Sequence, residues 1–354
     1  MPSGPVRNVG AARESALLTS RDNRWLKEFR VALRGGLPTE SGFVGVEGVR
    51  LVEEALRSGC PIQAVLFSQT GQRHRERIAP LIDRPELGFP MLRTTDRLFE
   101  SLADTEHPQG IAALVRPHET SFDELIRPPA SACAPLLVVL AGVQDPGNVG
   151  TILRTAAAFG ATGGATAASG VSGTASPYSP KALRASAGAA LHLPILAGMS
   201  LAILLTQFKI AGIHTLASSV HNKVGSSCSI DAGAPHAEPP AEAEQPYREH
   251  GREKALPELD PGVAFRSGVV EARASASRDA RSPFLAPWEV DWCQPIALLV
   301  GNEGAGLPEE TERSADARIH IPMASGVESL NAAAAAAVVF YEAARQRSSS
   351  PRQV

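Results

Sequence analysis

The sequence predicts an α/β protein of two domains, a small α/β sandwich followed by a larger domain on a parallel sheet. Three observations carry this. Apolar runs of strand length alternate with helix-periodic segments along most of the chain. Two of those runs, Leu136–Ala141 and Ile296–Val300, are continuously apolar, as strands buried on both faces are. Between the first alternating stretch and Leu136 lies a segment, 117–134, that holds Pro128-Pro129 and small residues, the composition of an interdomain linker. At 354 residues the chain is long enough for two cores of ordinary size.

Taken in order, residues 1–19 read as a flexible tail and 20–116 as the first domain. Its opening helix, Ser20 to Leu33, carries Arg21, Arg24, Lys27 and Arg30 at helical spacing, with Trp25, Leu26 and Phe29 for a core face. A solvated charged face and an RNA-facing patch fit that pattern equally. A strand at Phe43–Val46, a helix at Val49–Ser58, a strand at Ile62–Phe67 and a charged helix near Arg73–Ile82 follow. The second domain, 135–348, begins at strand Leu136–Ala141 and helix Asn148–Phe159. Strands near 191–196, 210–217 and 296–300 and an alanine-rich C-terminal helix complete it, and 349–354 is a tail. The alanine-rich strand after Gly163 predicts a weak sheet edge.

Residues 231–290 interrupt the pattern with eight prolines, an Ala-Glu-Pro-Pro-Ala-Glu-Ala-Glu run and no sustained periodicity. Such a segment buries too little apolar area to offset about 1–2 kcal/mol of ordering per residue, so a largely disordered insertion is expected. Phe284, Trp288 and Trp292 give its end a means of docking.

Composition narrows the function classes. A net charge of −3 gives no global attraction to nucleic acid, so any such binding comes from local patches. The four cysteines are scattered without metal-ligand spacing, which argues against zinc or a disulfide framework and fits a reducing compartment. No apolar run reaches membrane-spanning length and the first twenty residues lack a signal-peptide core. A cytoplasmic protein is expected, with no metal and no membrane partner.

Three segments point to chemistry. Gly142-Val-Gln-Asp-Pro-Gly-Asn-Val-Gly150 leads from a strand into a helix bearing Arg154, with Asn148 at the helix start; Asn148 as a plain cap is the simpler alternative. Neither a dinucleotide fingerprint nor a phosphate loop is present. Gly301-Asn-Glu-Gly-Ala-Gly306 follows a buried strand and places Glu303 where α/β folds put ligand-binding groups, unless it is only a turn. Ile319-His-Ile-Pro-Met323, a polar loop and Ser329-Leu-Asn331 precede the last helix, exposing backbone groups that suit a polar ligand, unless Ser329 merely caps that helix. Between the first two, Lys181 and Arg184 share one helical face; polyanion contact and solvent exposure remain comparable readings.

Together these motifs resemble the SpoU family of the SPOUT superfamily, S-adenosylmethionine-dependent RNA ribose 2′-O-methyltransferases. Asn148…Arg154, Gly301-Asn-Glu-Gly304 and Ile321-Pro-Met323…Ser329-Leu-Asn331 occur in the family's order, with Ser179-Pro-Lys…Arg-Ala-Ser-Ala-Gly188 between the first two. The front domain is similar to the family's RNA substrate-binding domain through Asn23…Lys27, Phe43-x-Val-Glu-Gly48 with its intervening position shifted by one at Gly45, and Pro108-Gln-Gly-Ile111. The resemblance implies a trefoil-knotted parallel-sheet domain and S-adenosylmethionine held by Gly301, Ile321, Leu330, Leu299 and Met323, largely through backbone. It implies Arg154 as the activating residue, with Asn148, Glu303, Ser329 and Asn331 positioning the ribose and that arginine. RNA contact by Lys181, Arg184, Arg24 and Lys27 and a homodimer are also expected, with ribosomal RNA ahead of transfer RNA as acceptor. Two rivals remain. One is a non-catalytic RNA-binding or ribosome-assembly factor on the same fold; the other is a nucleotide-dependent oxidoreductase, whose glycine fingerprint is missing.

Overall fold

The computed structural model describes residues 14–34, 36–82, 88–130, 132, 134–168, 173–219, 283–324, 327 and 329–349. The expected insertion 231–290 lies outside them except for 283–290.

The front domain is built on β1 (Glu14–Leu18), α1 (Arg24–Leu33), β2 (Val44–Glu47), α2 (Val49–Arg57), β3 (Ile62–Phe67), α3 (Arg75–Ile82), β4 (Met91–Thr94), α4 (Asp96–Leu102) and β5 (Ile111–Val115). The strands form one mixed sheet in the order β1-β4-β3-β5-β2. Alternation along β3 explains the sandwich: Ala64 and Leu66 face α1 and α4 with Leu26, Phe29 and Phe99, whereas Val65 and Phe67 join the opposite core with Val52 and Ile78. The expected tail boundary is corrected here, because Glu14–Leu18 pairs in parallel with β4 as an edge strand.

The expected linker 117–134 also contains structure. Ser121 and Glu124 form a reciprocal capping box that starts α5 (Phe122–Ile126), and buried Leu125 ties it to the rear core.

The rear domain continues with β6 (Leu136–Ala141), α6 (Pro146–Ala158), β7 (Gly163–Ala168), α7 (Pro180–Ala185), β8 (Ile195–Ser200), α8 (Leu201–Ile210), β9 (His214–Ser218), β10 (Phe284–Leu285), β11 (Ile296–Val300), α9 (Glu309–Ser314), β12 (Ala317–Ile319) and α10 (Ala332–Ser349). Its seven strands lie in the order β10-β12-β9-β11-β6-β7-β8, and every neighbouring pair is parallel. The continuous apolar runs β6 and β11 are adjacent central strands, covered by α6 and α10 on one face and by α5 and α8 on the other. The weak edge expected after Gly163 is not an edge, since β7 sits between β6 and β8. Its small residues have a packing cause: a Cβ on Gly163 would lie 2.7 Å from Leu125 Cδ1.

Two boundaries move. The strand expected near 191–196 runs from Ile195 to Ser200, and α8 occupies the start of the span expected as the strand 210–217. The end of the expected insertion is an ordered part of the sheet, because β10 pairs with β12 and Trp292 is fully buried while Trp288 stays exposed.

Candidate active site

The C-terminal ends of β6 and β11 deliver two loops side by side, and the segment before α10 reaches the same place. Asp145, not Asn148, caps α6: its carboxylate accepts from the Gly147 amide at 3.0 Å, with Pro146 at the first helical position. Asn148, one turn inside, is left to point at the neighbouring loops.

The second loop is closed on itself. Asn302 and Gly306 exchange backbone hydrogen bonds of 3.0 and 2.9 Å, and Asn302 Oδ1 accepts from the amides of Gly304 and Ala305. A Cβ on Gly301 would lie 2.4 Å from the Gly306 carbonyl carbon, so only glycine permits this return. Asn302 Nδ2 donates to the Gly142 carbonyl at 3.0 Å, which fastens the second loop to the first.

Glu303 completes the junction. Its carboxylate accepts from the Gln144 amide at 3.2 Å, the Asp145 amide at 3.0 Å and Asn148 Nδ2 at 3.1 Å. Asn148 Oδ1 in turn accepts from Asn331 Nδ2 at 3.2 Å. Asn331 Oδ1 accepts from the Ala333 and Ala334 amides and caps α10. The polarity of this chain is fixed at both ends. A carboxylate only accepts and helix-terminal amides only donate, so each asparagine amide has one workable orientation. Partial burial pushes the Glu303 carboxyl up, but hydrogen bonds from Asn148 and the backbone amides outweigh it and hold the group below its usual range. Glu303 is therefore ionised at neutral pH with its oxygens occupied by donors.

The remaining expected residues fall differently. Ser329 is exposed and makes no hydrogen bond among the described residues, so it is not the helix cap. Arg154 is exposed on the outer face of α6. Six residues of helix separate it from Asn148, about 9 Å along the axis and about a third of a turn around. The structure thus joins Asn148, Glu303 and Asn331 by hydrogen bonds, and among the described residues neither Arg154 nor Ser329 is bonded to that chain.

Of the expected cofactor residues, Ile321 is half-buried, Met323 and Leu330 are exposed, and Gly301 is buried beneath its own loop. The Leu299 side chain is fully enclosed in the core on the α8 side, which leaves only its backbone to face a ligand. Among the described residues the backbone amides of Ile321, Met323, Ser329 and Leu330 make no hydrogen bond, unlike those of 304–306. Free donors beside exposed apolar side chains suit a ligand with a flat heterocycle and polar substituents, which S-adenosylmethionine has.

The cations expected to face RNA each have a carboxylate nearby. Arg24 pairs with Glu28 and Lys27 with Asp22, both at the surface. Lys181 Nζ lies 2.6 Å from Asp145 and Arg184 lies 2.7 Å from Asp104. Asp145 and Asp104 are contributors to which sequence reading assigns no role. No group of three or more potential ligands that could hold a metal occurs among the described residues. No helix among them is long and apolar enough to cross a membrane.

The profile of the SpoU rRNA Methylase family matches residues 135–235 and 266–341, half of the chain. The chain belongs to the SpoU family. The profile of the RNA 2′-O ribose methyltransferase substrate-binding domain matches residues 46–121 of the front domain. This SpoU protein is an S-adenosylmethionine-dependent RNA methyltransferase, which sets aside the oxidoreductase reading and disfavours the non-catalytic one. An uncharacterized tRNA/rRNA methyltransferase of Synechocystis sp. is 28% identical over 94% of each chain. The 23S rRNA (guanosine(2553)-2′-O)-methyltransferase RlmP of Bacillus subtilis is 25% identical over 92% of this chain and 97% of its own. Among solved structures, an rRNA methyltransferase from Sinorhizobium meliloti superposes with a TM-score of 0.64 at 23% identity, covering 93% of this chain and 97% of that one. The SpoU methyltransferase AviRb from Streptomyces viridochromogenes in complex with AdoMet gives 0.63 at 23% identity, covering 93% and 100%. The fold is that of the SPOUT methyltransferases.

Proposed function

We propose that the protein methylates a ribose 2′-hydroxyl of ribosomal RNA in the cytoplasm, acting as a homodimer. The observation that carries the reading is the chain Asn331–Asn148–Glu303, which draws three loops from distant parts of the sequence into one junction. The segment that leads to Asn331 carries the amides of Ile321, Met323, Ser329 and Leu330, without partners among the described residues. With the side chains of Ile321, Met323 and Leu330 they would hold the cofactor. The trefoil threading of the C-terminal segment, as the family resemblance implies, would bring that segment through to this place. Relatives whose names specify ribosomal RNA favour that acceptor over transfer RNA.

S-adenosylmethionine supplies a methyl already activated on sulfur, so the protein's task is to align and activate the acceptor. A ribose hydroxyl is a poor nucleophile until it begins to lose its proton. A guanidinium with a pKa above about 12 is a reluctant base, so Arg154 acts by gripping the adjacent phosphate and stabilising the developing alkoxide. Its exposed place on α6, about a third of a turn from Asn148, makes the homodimer part of the reading: Arg154 serves a site completed across the two-fold. Ser329, exposed beside Leu330, is available to touch the ribose. Arg24 and Lys27 serve the RNA backbone, because exposed ion pairs of about 0–1 kcal/mol yield readily to phosphate.

Arg154→Ala is expected to reduce methyl transfer by about 100-fold or more while calorimetric titration still shows S-adenosylmethionine binding. Comparable loss of both would contradict this role. Ribose-methylation maps of RNA with and without the gene identify the acceptor.

A further inference from the structure

We propose that α7 is a strut that transmits the position of the front domain to the catalytic junction, with Arg184 and Lys181 as its positioning residues rather than RNA contacts. The inference rests on the RNA methyltransferase reading and adds a coupling between the two domains.

The front end of the strut is Arg184. Its guanidinium donates to Asp104 Oδ2 at 2.7 Å, and both side chains are about one-third exposed. Asp104 is not on a loose loop. Its amide donates to Glu47 Oε2 at 3.1 Å and the Thr105 hydroxyl donates to the other oxygen of the same carboxylate. Glu47 is itself buried at 6% exposure on β2, so Arg184 grips a loop pinned to the front sheet.

The rear end is Lys181, whose ammonium lies 2.6 Å from Asp145 Oδ1. Asp145 does two things there: its carboxylate caps α6, and its amide donates to Glu303. The Lys181 ammonium and the Gly147 amide together hold the Asp145 carboxyl below its usual range.

Between its ends α7 lies hard against α6. A Cβ on Gly150 would lie 2.2 Å from the Ala182 carbonyl oxygen and 2.7 Å from Ala185 Cβ, so the two backbones are already in contact. After α7 the chain turns through two left-handed residues, Ala187 at φ 49° and Gly188 at φ 86°. That turn lays Gly188 on α2, where a Cβ would sit 2.7 Å from Glu54 Cβ, and brings His192 Nε2 to 3.1 Å from Glu54 Oε2. The position that the front domain holds is therefore imposed on Asp145 and Glu303.

Half-exposed ion pairs contribute little to stability, which separates positioning from a merely structural role. In full-length protein, Arg184→Ala and Asp104→Asn are each expected to lower kcat for RNA methylation about ten-fold, with S-adenosylmethionine affinity and Tm unmoved. The swapped pair Asp104→Arg with Arg184→Asp is expected to recover most of the rate. Asp104→Asn is decisive, because it removes no cation and would help a phosphate-binding Arg184. Unchanged kcat in Asp104→Asn, or a swapped pair as slow as Arg184→Asp alone, overturns the strut. So does a rise in KM for RNA with a flatter salt dependence in Arg184→Ala alone, which returns Arg184 to the phosphate backbone. Turnover by the parent protein tests the methyltransferase reading by itself.

Discussion

Glu303 shows how one side chain can fasten two loops and a helix together. Three donors from the first loop converge on its carboxylate, and together they hold it ionised against the opposing effect of burial. Its folded-state pKa lies below the ordinary 4.5, so the folded protein binds fewer protons than the unfolded chain in the acid range. The stability this contributes is complete above that ordinary value and is lost as pH falls through the depressed folded pKa. Glu303→Gln puts a donor where three donors already point, so one is left without a partner. Thermal denaturation should show the variant less stable than the parent at pH 7, with the gap closing as the pH falls below about 4.5. A gap that is constant with pH would contradict the ionised acceptor. Residue type and motif order single out Asn148, Glu303 and Asn331, but not the hydrogen bonds that link them. Asn148 and Ser329 are each compatible with a cap on sequence grounds, and the caps are Asp145 and Asn331. The Asp145–Lys181 pair joins residues thirty-six apart, a separation no local pattern reveals.

At the scale of elements, strand and helix identity follow from simple periodicity wherever burial is one-sided or complete. β3 and β6 fall where apolar runs put them, and α6 starts two residues earlier than Asn148 because Pro146 suits a first helical position. β1 escapes such reading because Glu-Ser-Ala-Leu-Leu has no β-branched residue and gains its order from pairing with β4. α5 carries a readable signal, the Ser121-x-x-Glu124 box, which the prolines around it mask. The α6–α7 contact cannot be read at all, since a glycine inside a helix reports only a missing side chain. Its consequence can be measured. Gly150→Ala removes a poor helix former, worth up to about 1 kcal/mol in favour of the variant at an open site. Here the added methyl meets the Ala182 carbonyl at 2.2 Å, and forced separation of packed helices costs about 1–3 kcal/mol. A net loss of stability with reduced methyl transfer is expected in denaturation and turnover assays. A stabilised variant would show that α7 moves freely.

For the whole molecule, the division that composition marks at 117–134 is a family boundary more than a mechanical one. A single cluster of buried side chains starts at Val65, Phe67 and Ile111 of the front sheet and passes through Val52, Leu183 and Leu191. It continues to Val138 and Leu140 of β6 and ends on Phe340 of α10. Cys60 on the front side donates to the Leu191 carbonyl at 3.5 Å across the same boundary. Prolines and small residues are what linkers use, yet the surfaces this segment joins are apolar and buried against each other. The shared core bears on catalysis. A front domain that does not swing independently presents its RNA to the Asn331–Asn148–Glu303 junction at a fixed angle, and gives the α7 strut a rigid frame to act against. It also bears on unfolding, because neither half can melt without exposing the apolar face of the other. Calorimetry of the full chain is therefore expected to show one transition, with the calorimetric and van't Hoff enthalpies in agreement. Domains joined only by a flexible tether would give two transitions, and that result would refute both the shared core and the frame on which the strut depends.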